Sequence, residues 1–263
     1  MRRVLVLDLD GTLLDSSLSF SFYTESIIKK MKDEGFLIIL ASGRPYRSME
    51  GFYKRLGLST PLIAYNGALV FNPVDQSFPI YSKRFPASSL KNIARKCSFL
   101  SSFMVEGGEM IYLQNEDTYL DAYFPYSKEK HLIGKIDEII KEDCYTSIFN
   151  CTKEESFILE KAVNEEGIIL RRWNGNTHSE GALPNVNKGE ALKYIIKQLN
   201  IDAKNSYAFG DSDNDFEMLS LIGHPFVAKN SKSKLLKATF PITEKGNDQD
   251  GVAFELNRIF KLL

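Results

Sequence analysis

Apolar residues along the chain fall into two rhythms. The first consists of unbroken β-favouring runs that each end in a small or polar residue. Val4-Leu5-Val6-Leu7 stops at Asp8, Phe36-Leu37-Ile38-Ile39-Leu40-Ala41 at Ser42, Leu62-Ile63-Ala64-Tyr65 at Asn66, and Ser206-Tyr207-Ala208-Phe209 at Gly210. Runs without alternation predict strands buried on both faces, as in a parallel sheet. Between them, Phe20 to Glu34 carries apolar residues at helical spacing and stops at Gly35, and a second helix starts at Pro45 and runs through Lys54 to Gly57. Ala68 to Phe71 reads as a hairpin return after the Asn66-Gly67 turn. Strands alternating with helices over short connections imply a parallel sheet with right-handed crossovers, whose ligands sit beyond the strands' carboxyl ends. Asp8, Asp10, Ser42 and Asn66 all fall there.

The second rhythm occupies 82–183. Ser88 to Phe99 and Lys153 to Glu165 predict helices, Phe103 to Glu106 and Met110 to Gln114 a hairpin parted by Gly107-Gly108, and Tyr145 to Asn150 and Ile168 to Trp173 further strands. Asp117 to Tyr126 and Ile133 to Lys141 fit either state. This mixture predicts an α+β module inserted between two parts of an α/β core, 1–81 and 184–263. The core pattern resumes with an amphipathic helix from Asn187 to about Leu199. After the strand at Ser206 to Phe209 come a helix to Leu221, a strand at Pro225 to Ala228, a helix around Lys232 to Ala238 and a closing helix from Gly251. No internal repeat or low-complexity linker interrupts the chain, and nothing marks an oligomeric state.

A length of 263 residues with 43% hydrophobic composition supplies one large core or two modest ones. The net charge of −1 and pI of about 6.4 give no basic field for nucleic acid or an anionic membrane, so an anionic ligand needs local groups. Cys97, Cys144 and Cys151 show no ligand spacing and read as cytoplasmic thiols. Met1-Arg2-Arg3 mimics the start of a signal peptide, but Asp8 and Asp10 break the apolar segment that follows. No run approaches the roughly 18 apolar residues of a membrane span.

The chemistry begins at Asp8-Leu9-Asp10-Gly11-Thr12. Two carboxylates two positions apart on an extended chain face one side, and their repulsion calls for a cation or a shared task; alternatively, Asp10-Gly11 merely starts a turn. Three further fragments stand at strand ends or helix starts: Ser42-Gly43-Arg44, Asn187-Lys188-Gly189 and Gly210-Asp211-Ser212-Asp213-Asn214-Asp215. In this order the four resemble the haloacid dehalogenase superfamily, in its Cof-type branch of phosphatases (subclass IIB). The resemblance extends to Asp248-Gln249-Asp250-Gly251-Val252; it departs at Lys229-Asn230, where the branch usually has Gly-Asn, which bears on local loop geometry only.

The resemblance implies a Rossmann-like doubly wound parallel-sheet core with an inserted α+β cap of the C2B type closing as a lid. It implies a Mg²⁺-dependent phosphatase acting on a small phosphorylated metabolite, such as a sugar phosphate, through an aspartyl-phosphate. Asp8 is then the nucleophile. Asp10 serves the leaving group as acid and the water as base, with the neighbouring charge of Asp8 helping to keep it protonated. Mg²⁺ falls to Asp8, Asp211 and the backbone carbonyl of Asp10, with Asp215 binding its waters or orienting Lys188. Ser42, Gly43 and Lys188 hold the phosphoryl oxygens. Arg44 and Asn214 either touch substrate or, for Arg44, pair with a core acid; Asp213 lies where the family's loop varies.

Other readings remain beside this one. Lys188 sits against the helix dipole, which favours anions at a helix start. The Asp211 to Asp215 run begins like a calcium loop but lacks that loop's Gly and its closing Glu. Ser42 with His178 or His224 lacks a nucleophile elbow, and the three histidines, including His131, have no ligand spacing. Tyr112, Tyr119, Tyr123, Tyr126 and Trp173 either line a sugar-binding face or pack in a core, the commoner use. Glu180, ahead of the lysine motif, is a hinge, a substrate contact or an ordinary strand residue. A phosphomutase would use the same core, and a non-catalytic phosphoester-binding protein would not need Asp10.

Overall fold

The computed structural model describes residues 2–173 and 177–263. One unit comprises Met1–Tyr81 with Asn187–Leu263, and the other Ser82–Val186. The return falls at Asn187 because the segment just before it is a turn, closed by the Val186 N–H donating to the Leu183 carbonyl.

The chain enters the first unit through β1 (Arg3–Leu7), α1 (Phe22–Asp33), β2 (Phe36–Leu40), α2 (Tyr46–Arg55), β3 (Leu62–Ala64) and β4 (Leu69–Phe71), and leaves it within β5 (Tyr81–Ser82). The second unit holds α3 (Ala87–Lys96), β6 (Ser102–Glu106), β7 (Ile111–Leu113), α4 (Thr118–Tyr123), β8 (His131–Ile133), α5 (Ile136–Ile139), β9 (Thr146–Asn150), α6 (Ser156–Glu165), β10 (Ile169–Arg172) and β11 (His178–Ala182). Back in the first unit come α7 (Lys188–Leu199), β12 (Tyr207–Gly210), α8 (Phe216–Ser220), β13 (His224–Val227), α9 (Lys234–Thr239) and α10 (Gly251–Phe260). None of the described helices is long and apolar enough to cross a membrane.

In the first unit β13, β12, β1 and β2 form a parallel sheet in that order. Alternate residues of the central strands feed separate cores on its two faces. Leu5, Leu7, Ile38, Leu40 and Phe209 pack with α1, α2 and α10, whereas Val4, Val6, Ile39 and Ala208 pack with α7, α8 and α9. Burial on both sides is the physical reason these strands lack polar alternation. β1 lies between β12 and β2, so the chain leaves its neighbours in opposite directions at the carboxyl edge, where a crevice forms in sheets of this kind. Hydrogen bonds extend past the strand ends: Asp8 N–H donates to the Phe209 carbonyl, Ser42 N–H to that of Ile63, and Asn66 N–H to that of Ser42.

The second unit is a six-stranded sheet in the order β10-β11-β9-β6-β7-β8, antiparallel except for the β7–β8 pair. Phe103, Val105, Tyr112 and Phe149 pack under α3, α5 and α6, while Met104, Ile111, Leu113 and Ile148 pack with Leu120 of α4 and Tyr126 on the other face. The two ambiguous segments resolve into the short helices α4 and α5. β8 and β11 are additions to the sequence reading: β11 contains Ser179, Glu180 and Gly181, poor strand formers held by neighbours on both sides. Tyr112 and Tyr126 are core residues, Tyr119 is partly exposed, and Trp173 packs against that core; the side chain of Tyr123 lies outside the described residues. His178 is a satisfied core residue, its Nε2 lying 2.8 Å from Asp117 Oδ2, and Glu180 pairs with Arg171 across adjacent strands.

One backbone position joins the turn after β3 to the start of α7. Gly67 has φ +100°, and a Cβ there would stand 2.2 Å from the carbonyl oxygen of Asn187. Gly67→Ala is therefore expected to lower the unfolding free energy by at least about 2 kcal/mol in urea titrations. Gly51→Ala, within α2 and with nothing near its Cβ, should raise it by about 0.5–1 kcal/mol. Equal effects of the two substitutions would contradict this account.

Candidate active site

The site is built at the carboxyl ends of β1, β2, β3 and β12 and the first turn of α7. Lys188 opens α7 behind the Asn187 cap, whose side chain accepts from Glu190 N–H at 2.8 Å. Its ammonium is buried, with Nζ 2.6 Å from both Asp8 Oδ1 and Asp215 Oδ1. Asp215 uses its other oxygen, Oδ2, to accept from the N–H groups of Asp211 at 2.9 Å and Ser212 at 3.1 Å. A single buried carboxylate thus orients both the lysine and the loop that carries Asp211.

The electrostatics are unbalanced. Burial works to lower the Lys188 pKa, but Asp215 and Asp8 outweigh it and hold the ammonium firmly charged. Asp8 moves well upward: burial is the largest cause, and repulsion from Asp215 and Asp211 adds to it against the pull of Lys188. Burial and Asp215 likewise push Asp211 up to about 7. Carboxylate oxygens of Asp8, Asp211 and Asp215 lie within 4.8 Å of one another. Three acids served by one ammonium fit a hard, oxygen-seeking dication, which would relieve the repulsion that raises Asp8 and Asp211.

Asp10 takes a different direction from Asp8. β1 ends at Leu7, so the two are not successive same-face residues of a strand. Both oxygens of Asp10 are engaged by Arg44, at 2.7 Å to Nε and 2.6 Å to Nη2. Of the two uses open to Arg44 the structure shows the pairing with an acid, and that acid belongs to the site. Asp10 is also a source of the repulsion felt by Asp211, whereas the carboxylates acting on Asp8 are Asp215 and Asp211. Asp8 and Asp10 thus have separate pairings, one with Lys188 and one with Arg44.

Ser42 is buried, and its hydroxyl oxygen accepts from the Arg44 N–H at 3.1 Å, shaping the turn that contains Gly43. Asn214 donates to Asn66 Oδ1 at 2.8 Å, and a Cβ at Gly43 would sit 3.0 Å from the same Asn66 side chain. Asn66 therefore joins the Ser42 turn to the Asp211 loop. The sequence put Asn66 at the correct edge but assigned it no role, because only the fold brings residue 214 to it. Asp213 holds Ser233 through a hydrogen bond from its hydroxyl.

A family model described as haloacid dehalogenase-like hydrolase matches residues 5–256, so this chain belongs to that family. Its fold is the α/β core with inserted mixed-sheet cap of the solved subclass IIB structures, and it is a phosphatase of that family. A curated relative from Bacillus subtilis strain 168, the 5-amino-6-(5-phospho-D-ribitylamino)uracil phosphatase YitU, is 31% identical, with 98% of each chain covered. The crystal structure of TM0651 from Thermotoga maritima superposes with TM-score 0.82 at 26% identity, covering 98% of this chain and 97% of that one. The subclass IIB sugar phosphatase BT4131 superposes with TM-score 0.81 at 18% identity, covering 99% and 100%.

The charge imbalance carries a sign that solution measurements can check. The Asp211 pKa in the folded chain lies above its ordinary 3.8, so between pH about 4 and about 7 the folded state holds more protons than the unfolded state, and this group's contribution to stability falls as pH rises. In metal-free buffer, the stability of Asp211→Asn relative to wild type should accordingly increase across that window. A relative stability independent of pH would refute the assignment.

Proposed function

We propose that this chain is a Mg²⁺-dependent phosphatase that hydrolyses its substrate through a phosphorylated Asp8. The observation that carries the reading is the shared grip of Lys188 on Asp8 and Asp215 beside Asp211. This arrangement presents one carboxylate oxygen, fixed by an ammonium, at an acidic pocket that requires a cation. Asp8 and Asp211, with the backbone carbonyl of Asp10, would hold the Mg²⁺, and Asp215 orients Lys188. When bound, the ion supplies positive charge against the phosphoryl oxygens.

An Asp8 oxygen forms a bond to phosphorus as the ester P–O bond breaks, and Asp10 delivers a proton to the departing oxygen. In the second half, Asp10 takes a proton from water as its oxygen attacks phosphorus, the Asp8–phosphorus bond breaks, and inorganic phosphate leaves. The Ser42 hydroxyl, the Gly43 N–H and the Lys188 ammonium are the donors for the phosphoryl oxygens. Arg44 holds Asp10 as a carboxylate before substrate arrives; Asp10, open to solvent, takes up the proton from water as it releases Arg44 and then passes it to the leaving oxygen. Asn214, tied to Asn66, keeps the two substrate-side loops in register.

For the substrate, the B. subtilis relative directs attention to a phosphorylated ribityl chain bearing a uracil ring, and a sugar phosphate is the second class. Three free cysteines are consistent with a cytoplasmic setting. In phosphate-release assays over both classes, Mg²⁺ should support turnover and EDTA should abolish it. Asp8→Asn should lower kcat by at least about 10⁴-fold, and 5-amino-6-(5-phospho-D-ribitylamino)uracil should show the highest kcat/KM. Turnover surviving in Asp8→Asn would refute the nucleophile. Phosphoryl transfer to a second sugar hydroxyl instead of water would indicate a mutase, and binding without turnover by the folded wild type a phosphoester-binding protein.

A further inference from the structure

The loop after β13 touches both acidic arms of the site. Asn230 donates from Nδ2 to the carbonyl oxygen of Gly11 at 2.8 Å, and its Oδ1 accepts from Asn247 N–H at 2.9 Å. The next residue, buried Ser231, donates its hydroxyl to the backbone carbonyl of Asp211. Two adjacent side chains on one loop therefore grip the turn that follows Asp10 and the residue that follows β12. The loop is itself fixed, because Ala228 N–H donates to the Gly210 carbonyl and Ser231 N–H to that of Ala228.

The two gripped points meet directly. Gly11 has φ +75°, and a Cβ on it would lie 2.7 Å from Asp211 Oδ2. The Asp8-to-Gly11 turn and the Asp211 carboxylate thus approach as closely as a glycine allows. Holding like charges together needs constraint from outside the pair, and hydrogen bonds to neighbouring carbonyls provide it without adding charge.

We propose that Asn230 and Ser231 are positioning residues that clamp the Gly11 turn against Asp211, so that Asp8 and Asp211 stay preorganised as one cation-binding pair. The proposal rests on the Mg²⁺-dependent reading above. It also gives Lys229-Asn230, where the sequence departs from the usual Gly-Asn, a definite arrangement: Lys229 Nζ turns away to the Glu244 carbonyl at 2.9 Å, leaving the clamp to Asn230.

The outer end of the same arm supplies a control. Asp248 accepts two hydrogen bonds from Ser16, at 2.7 Å from its N–H and 2.9 Å from its hydroxyl, beyond the site. Asn230→Ala removes two exposed hydrogen bonds, one to Gly11 after β1 and one to Asn247, and Asp248→Ala removes two, both to Ser16 after β1, so a purely structural role predicts similar behaviour for both. Mg²⁺ affinity is measured by titration calorimetry on wild type, Asn230→Ala, Ser231→Ala and Asp248→Ala, alongside thermal midpoints and kcat and KM for p-nitrophenyl phosphate. Asn230→Ala and Ser231→Ala should weaken Mg²⁺ binding by about tenfold and lower kcat with KM within about twofold. Asp248→Ala should keep the wild-type affinity at a similar thermal midpoint.

Unchanged Mg²⁺ affinity in both clamp variants, or an equal loss in Asp248→Ala, would overturn the proposal. Calorimetry reads the clamp even if no phosphoester tested is turned over, so failure of the phosphatase reading and failure of the clamp are separable. Absence of Mg²⁺ binding by wild type would overturn both.

Discussion

The active end of the first unit depends on one buried ammonium. Lys188 lies at the start of α7, where the helix dipole disfavours a cation, and its burial would be prohibitive without Asp8 and Asp215 at 2.6 Å. Each partner is fixed by something else: Asp8 by its place at the end of β1, and Asp215 by two backbone N–H groups of its own loop. α7 can present Lys188 there only because Gly67 lets the turn after β3 press against Asn187. Removing the ammonium would leave two buried carboxylates facing each other, so the sheet, the helix and the loop share a common electrostatic dependence.

That dependence explains how sequence and site are related. The central strands were legible because a strand buried on both faces has no polar positions to interrupt it, and the chemistry sits where each apolar run stops. Asp8 could be located from such an end, and Lys188, Asp211 and Asp215 from the resemblance to the family; the structure brings all four together. What was not legible depends on contacts between distant segments. The choice of Arg44 for Asp10, the bridge from Asn66 to Asn214 and the grip of Asn230 on Gly11 link loops that are separate in sequence. The strand β11 escaped notice for a related reason: His178, Ser179, Glu180 and Gly181 have little strand preference, and their conformation comes from β9 and β10 on either side.

The two acids of the first motif illustrate the limit of spacing as an argument. Residues two apart share a face only while the chain stays extended, and β1 ends before Asp8. Beyond that point the direction of each side chain is set by its partner, so Asp8 turns to a buried lysine and Asp10 to an arginine. The difference in environment is itself useful chemically. The roles proposed for them are a nucleophile held rigidly in a dry place and a proton-exchanging group open to solvent; the Asp10 side chain is 44% exposed against 6% for Asp8.

The charge balance also imposes an order on binding. Asp8, Asp211 and Asp215 face a single ammonium, while Arg44 and Asp10 neutralise each other. Without a cation, burial and mutual repulsion favour the protonated forms of Asp8 and Asp211, and their ionised forms would repel a phosphate dianion. Asp8 and Asp211 would hold a dication, whose charge would favour their ionised forms and offset the excess of carboxylates. A cation bound ahead of the phosphoester would be the order that these charges favour, with the proposed clamp on Asp8 and Asp211 supporting its first step.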